Sequence, residues 1–318
     1  MMATVIAFIY AAVLAGVPLL YGTLGEIITE KAGHLNLGVE GMMYMGAAFG
    51  FLGGYLTGSP LIALLLAILA GMLGALIYAF LTVSLKANQN VTGLALTTFG
   101  TGVANFLGQY LMKHSSGGFS VPANVVAFFR PLKLGALSDI PVAGTLIFSH
   151  SVFTYFVMIL AFALSYYLHH THTGLNLCAI GENPAAADAA GVNVNRYKYL
   201  HLLAGGAICG LGGAYISLVT CAGNWQQNCV AGQGWIAVAL VIFVSWKPMR
   251  AIWGAFFFGA LSVLRLYIPA STLAIPAAFY LMIPFVVTCV VLVFSSIRMR
   301  RENQAPAACG VNYFREER

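Results

Sequence analysis

Polar residues are so widely spaced in this chain that the apolar stretches between them set the first expectations. Continuous apolar runs occupy about 2–21, 40–57, 60–84, 90–112, 151–168, 198–220, 233–246, 251–268 and 272–296. As helices, runs of about 20 apolar residues match the hydrocarbon thickness of a bilayer. Barrel strands would alternate, whereas these runs are continuously apolar and glycine-rich. The pattern predicts an all-α, polytopic integral membrane helical bundle of about nine spans, within a range of eight to ten. The first run has no basic start and no small-residue cleavage site, so it reads as a span rather than a secretory signal.

One polar-flanked stretch breaks this rhythm. In GENPAAADAAGV, residues 181–192, Asn183 is placed to cap a helix and Pro184 fits the first turn. The alanines propagate the helix, and Gly191 closes it in the left-handed conformation.

Composition narrows the class. Of 318 residues 60% are hydrophobic and 8% charged, and no polar block is long enough for a separate soluble domain. The formal charge of +6 does not indicate nucleic acid, because the cations sit in short connections rather than on a basic face with interleaved aromatics. They report orientation instead. Lys31, Lys86, Arg196, Lys198, Lys247, Arg250, Arg298, Arg300 and Arg301 fall on one side; Lys113, Arg130 and Lys133 fall on the other. The richer side is cytoplasmic, which places the 183–191 helix inside and, with nine spans, the N-terminus outside.

Candidate chemistry is sparse. Residues 25–47 put Glu26, Glu30, Lys31, His34, Asn36 and Glu40 beside Gly33, Gly38 and Gly41 near a membrane boundary, where such groups line a passage or form a packed re-entry loop. In the fourth run Asn90, Thr97, Thr101 and Asn105 share one helix face. That stripe reads either as interhelical hydrogen-bond glue or as path lining. Arg265 is expected as an isolated buried cation facing a partner, a carbonyl cluster or water, and His201 as a hydrogen-bonded core histidine. His169, His170 and His172 lack the spacing of a zinc pair and read as a solvated boundary segment. The six cysteines form no CxxC pair; Cys221 and Cys229 either bridge in an outer loop or pack singly. No lysine is followed by Ser or Thr, which excludes a phosphate-binding P-loop, and GxSxG and HExxH are absent. The nine acids lie in loops, tail or span edges, against the midplane carboxylate relay of an ion-coupled carrier.

Four stretches in order, GEIITEKAGHLNLGVEGMMYMGA, ALTTFGTGVANFLG, TGLNLCAIGENPAAADAAGVNVNRYKYLHLLAGGAICGLGGAYISL and GQGWIAVALVIFVSWKPMRAIWGAFFFGAL, resemble the motifs of bacterial ABC-importer permeases. The resemblance is to the branch grouped with branched-chain amino acid and simple-sugar permeases, nearest the nucleoside subfamily associated with basic membrane lipoproteins. It implies one permease domain over 1–297, a coupling segment over about 174–198, and a polar cytoplasmic tail over 298–318. Gly181, Glu182, Asn183, Pro184, Ala186, Ala187, Asp188 and Gly191 would then form the coupling helix that docks on an ATPase subunit. Asn36, Glu40, Asn90, Thr97, Thr101 and Asn105 are the path candidates. The implied partners are that ATPase, a second and related permease, an extracellular solute-binding lipoprotein, a small-molecule solute and the lipid bilayer. The implied place is a bacterial inner membrane. The chain itself would hold no cofactor and catalyse nothing, ATP and Mg being used by the partner. Nucleosides rank first as solute, simple sugars second and riboflavin-like molecules third. Cys178 departs from the pattern, which has a basic residue there, and so does the histidine-rich lead-in.

Overall fold

The computed structural model describes residues 2–114, 119–132, 140, 142–267, 277–297 and 304–314. Its helices are α1 (Met2–Lys31), α2 (Val39–Thr57), α3 (Pro60–Ala79), α4 (Gln89–His114), α5 (Ala123–Phe128), α6 (Ala143–Ile147), α7 (Val152–His170), α8 (His172–Glu182), α9 (Pro184–Ala189), α10 (Val194–Tyr215), α11 (Gln233–Phe243), α12 (Pro248–Tyr267) and α13 (Ala277–Ile297). Single π-turns, Phe80–Ser84 and Ile216–Thr220, extend α3 and α10. Among the described residues there is no strand, only an isolated bridge between Ser120 and Asn224. The fold is all-α, as the apolar runs predict. Lys133, Arg298, Arg300 and Arg301, used for the orientation, lie outside the described residues, as do residues 272–276 of the ninth run.

Glycine governs the packing. At the centre α10 lies against α3, α2 and α1, α12 covers the far side of α1, and α4 covers α2. A Cβ on Gly46 would strike the Gly210 backbone, and one on Gly71 would strike the Gly206 carbonyl. Between α2 and α4, Gly41 and Gly100 stand equally close. Lipid tails are as apolar as leucine, so such helices associate through close backbone approach rather than through hydrophobic burial.

Three expectations change. Among the described residues, five helical stretches are long and apolar enough to cross a membrane: Met2–Lys31, Pro60–Ser84, Val152–His170, Val194–Thr220 and Pro248–Tyr267. The run at 233–246, expected as a full span, holds a helix of 11 residues. At about 1.5 Å per residue that covers only half a bilayer. The remainder of that crossing is the non-helical segment 221–232, which runs antiparallel to α2. Gly223 bonds to Val121 beside Gly54, Trp225 packs on Phe51, Ala231 bonds to Tyr44, and Gly232 bonds to Glu40. Gly223, Trp225 and Val230 anchor this irregular backbone as buried residues, while Asn224, Gln226, Gln227 and Asn228 remain exposed.

The second change concerns α1, which runs through to Lys31 instead of ending near residue 21, so Glu26 and Glu30 are helical. Third, Arg265 is not a deep buried cation. It is exposed in the last turn of α12, where a positive charge complements the helix dipole. Tyr267, two residues on, bonds to the Ala7 carbonyl and fixes that end beside the start of α1. Cys221 and Cys229 remain separate thiols.

Candidate functional site

The segment that the sequence singles out as a peg forms a short, doubly stopped helix. The Asn183 side chain accepts from the Ala186 N–H at 3.0 Å, and Pro184 occupies the first turn. At the other end Gly191 takes φ +86°; its N–H donates to Asp188, and the Val192 N–H donates back to Ala187. This pair of bonds satisfies the last carbonyls of α9 in a Schellman arrangement. Ala187 points inward against Ile180 and Val194, whereas Glu182, Asn183, Ala186, Ala189 and Ala190 face outward. A small apolar root thus seats a slim exposed ridge.

The ridge is tied to the membrane-embedded core at Gly181. A Cβ there would strike the Lys31 carbonyl, so only glycine lets α8 abut the end of α1. Cys178 lies half-buried one turn earlier, and burial raises its thiol above the ordinary value. The preceding histidines divide between two helices: His169 and His170 end α7 and His172 begins α8, which Thr171 caps. Among the described residues no group of three or more His, Cys, Asp or Glu is arranged to hold a metal ion.

The turn between α1 and α2 is packed protein, the second of the two readings open from its sequence. Glu26, Glu30, His34, Asn36 and Glu40 are each at most 4% exposed. Asn36 shapes the turn: its N–H donates to Glu26 at 2.8 Å and its side chain accepts from the Gly38 N–H at 2.9 Å. Glu30 accepts from the Trp246 indole. Burial, with Lys198 and Lys86 nearby, holds the His34 imidazole well below its ordinary pKa, so the ring is neutral. Glu40 reaches the first turn of α11, accepting from Gly232 at 2.8 Å and from Gly234 at 2.6 Å. A carboxylate at a helix N-terminus meets orphan N–H donors and the positive end of the dipole together. The sequence reading places every acid in loops, tail or span edges. Three of them are helical and buried, so acid position gives no argument against a carrier.

Of the path candidates, Asn36 and Glu40 are buried within this chain. Asn90 is exposed at the start of α4, while Thr97, Thr101 and Asn105 are half-buried along one face. Thr97 bonds to the Leu37 carbonyl and Thr101 to its own helix. Asn105 is different: its amide donates to Asn228 at 3.0 Å, bridging α4 to the irregular segment at a partly open position. Next to this face Gly102 has open space around it. Asn228 is not among the residues that sequence reasoning singles out, although the run WQQN in a glycine-flanked loop is a usable signal. His201 fits its expected role, its two ring nitrogens held by Tyr167 and by the Tyr197 carbonyl.

Comparison with known proteins shows the family. A family described as "Branched-chain amino acid transport system / permease component" matches residues 6–292. The guanosine ABC transporter permease protein NupQ of Bacillus subtilis is 33% identical over 95% of this chain and 94% of its own length. The nucleoside ABC transporter permease protein NupC of Lactococcus lactis subsp. cremoris is 33% identical over 94% of each. A Haloferax volcanii protein named "Putative glucose ABC transporter permease protein TsgC13" is 38% identical over 83% of this chain and 78% of its own. The match takes in α1 through most of α13, the peg and the half-length helix included, and the chain belongs to this family of transport-system permease components.

Proposed function

We propose that this chain forms one side of the solute path of an ABC importer for nucleosides, and that α9 is the element an ATP-hydrolysing partner pushes. The observation that carries the reading is α9 itself: a capped helix that presents an exposed alanine ridge, is seated on Ile180 and Val194, and is tied through Gly181 to the end of α1. A short helix stopped at both ends moves as a unit and transmits displacement. The partners are an ATPase using ATP and Mg, a second permease completing the path, and an extracellular lipoprotein that supplies the solute. Solute moves the equilibrium between outward-facing and inward-facing states only through its differential affinity for them. Nucleosides are favoured because NupQ and NupC align along nearly their whole length. A simple sugar is the second reading, supported by the higher identity over a shorter span to the Haloferax protein.

The test is uptake by vesicles holding the assembled importer, with labelled guanosine and glucose compared. Guanosine is expected to accumulate with ATP and glucose not; the reverse moves the assignment to sugars. In the same vesicles Gly191→Val is expected to hydrolyse ATP while importing far less per ATP. The open space at Gly191 removes any clash, so the effect comes from a φ of +86°, a strain of about 1–2 kcal/mol for a side-chain-bearing residue. Normal coupling in that variant would count against α9.

Asn105→Leu discriminates lining from glue. Losing a hydrogen bond of about 1 kcal/mol from the path lowers uptake about fivefold with ATPase assembly unchanged. Unaltered uptake would leave the Asn105–Asn228 bridge as packing alone.

A further inference from the structure

The end of the chain returns to the face that carries α9. Over residues 304–314 it makes three attachments. The Ala308 N–H donates to the Gly181 carbonyl at 2.9 Å, at the end of α8. The Asn312 amide donates to the carbonyls of Lys86 and Ala87, at 2.6 and 3.2 Å, and accepts from Gln89 at 3.2 Å. The Tyr313 hydroxyl donates to Asp188 Oδ2 at 2.9 Å, and its ring packs on the cluster of Ile180, Ala187 and Val194 that seats α9.

These partners belong to different parts of the bundle. Lys86, Ala87 and Gln89 form the connection from α3 into α4, and Lys86 holds its turn at φ +55°. Gly181 and Asp188 belong to α8 and α9, and α9 otherwise packs against its chain neighbours α8 and α10. Two recesses, about 560 and 320 Å³, flank α9, and Tyr313 and Phe314 wall both. The strap is therefore a direct tie between the peg and the start of the helix that carries Thr97, Thr101 and Asn105.

We propose that Asn312 and Tyr313 are positioning residues of the coupling apparatus, clipping α9 to the α3–α4 connection so that displacement of α9 reaches α4 directly. Without the clip, a push on α9 enters the bundle through its chain neighbours α8 and α10. This rests on the reading of α9 as the ATPase contact, and the test separates the two.

In the full-length chain alone, Asn312→Ala and Tyr313→Phe are compared with the wild type by amide hydrogen exchange over residues 184–191. Release of three hydrogen bonds in Asn312→Ala and of one in Tyr313→Phe is expected to raise exchange there, by about tenfold in the first and about fivefold in the second, and this arm needs no ATPase. In the assembled importer the same variants are expected to bind the ATPase and hydrolyse ATP normally while importing about fivefold less solute per ATP. Unchanged exchange overturns the clip. Raised exchange with undiminished import per ATP overturns the relay. Should Asn312→Ala not purify, Asn312→Asp keeps the shape and the acceptor for Gln89 while replacing the donor by a charged acceptor facing the Lys86 and Ala87 carbonyls, and the same outcomes apply. A failure of the α9 reading shows separately, as normal coupling in Gly191→Val.

Discussion

Gly210→Leu is expected to abolish recovery of folded protein from the membrane, whereas Gly102→Leu is expected to leave it unchanged or improve it. Gly210 sits where α2, α3 and α10 meet. A Cβ there would strike the Ala67 carbonyl and lie 3.2 Å from the Gly71 Cα. These are backbone atoms of α3, so no side-chain rotation relieves the overlap; α10 and α3 must separate. Overpacking a well-filled interior costs about 1–3 kcal/mol, and an overlap with the backbone of α3 puts this site at or above the upper end. Gly102 has no neighbour within 4 Å, and glycine in a helix interior costs about 1 kcal/mol relative to alanine. Detergent-extracted, fluorescently tagged protein run on size exclusion measures both. A monodisperse Gly210→Leu peak of wild-type height would show that the helices are not in glycine-mediated contact.

The second large effect is expected at Glu40. Glu40→Ala leaves the N–H groups of Gly232 and Gly234 without their acceptor at a position only 4% exposed. Each orphaned buried donor costs about 1–3 kcal/mol, so the pair costs about 2–6 kcal/mol. Glu40→Gln keeps the size and one carbonyl acceptor, and its loss is expected to be about half as large. Thermal unfolding midpoints in detergent should therefore fall in the order wild type, Gln, Ala. Equal midpoints for all three would mean that α11 is not held by this carboxyl. The effect is structural, so lowered uptake in these variants should track lowered stability.

Much of the molecule is legible in the amino-acid sequence. Apolar run length places α2, α3, α4, α7, α10 and α12 closely, because a bilayer leaves a chain little choice but the helix. The peg is equally readable: cap, proline, alanine run and closing glycine are local signals, and each acts within a few residues of itself. The path is less legible. A stripe calculated from helical periodicity identifies the face on which Thr97, Thr101 and Asn105 lie, but periodicity cannot say what that face meets. Asn228 is 123 residues from Asn105, and the pairing exists only in three dimensions. Glycines at 206 and 210, four apart on one helix face, are a readable sign of close packing.

By itself the sequence determined that the chain is a helical membrane protein with a capped peg, since both follow from local composition and from the absence of water as a hydrogen-bond partner in lipid. Tertiary structure alone decided that the 233–246 run is a half-length helix, that Glu40 serves its N-terminus, and that the chain's end is strapped to the peg. Those depend on long-range contacts between segments whose own propensities are silent about each other. A carboxylate near a predicted boundary reads the same whether it faces water or a helix end nearly two hundred residues away, and only the packing distinguishes the two.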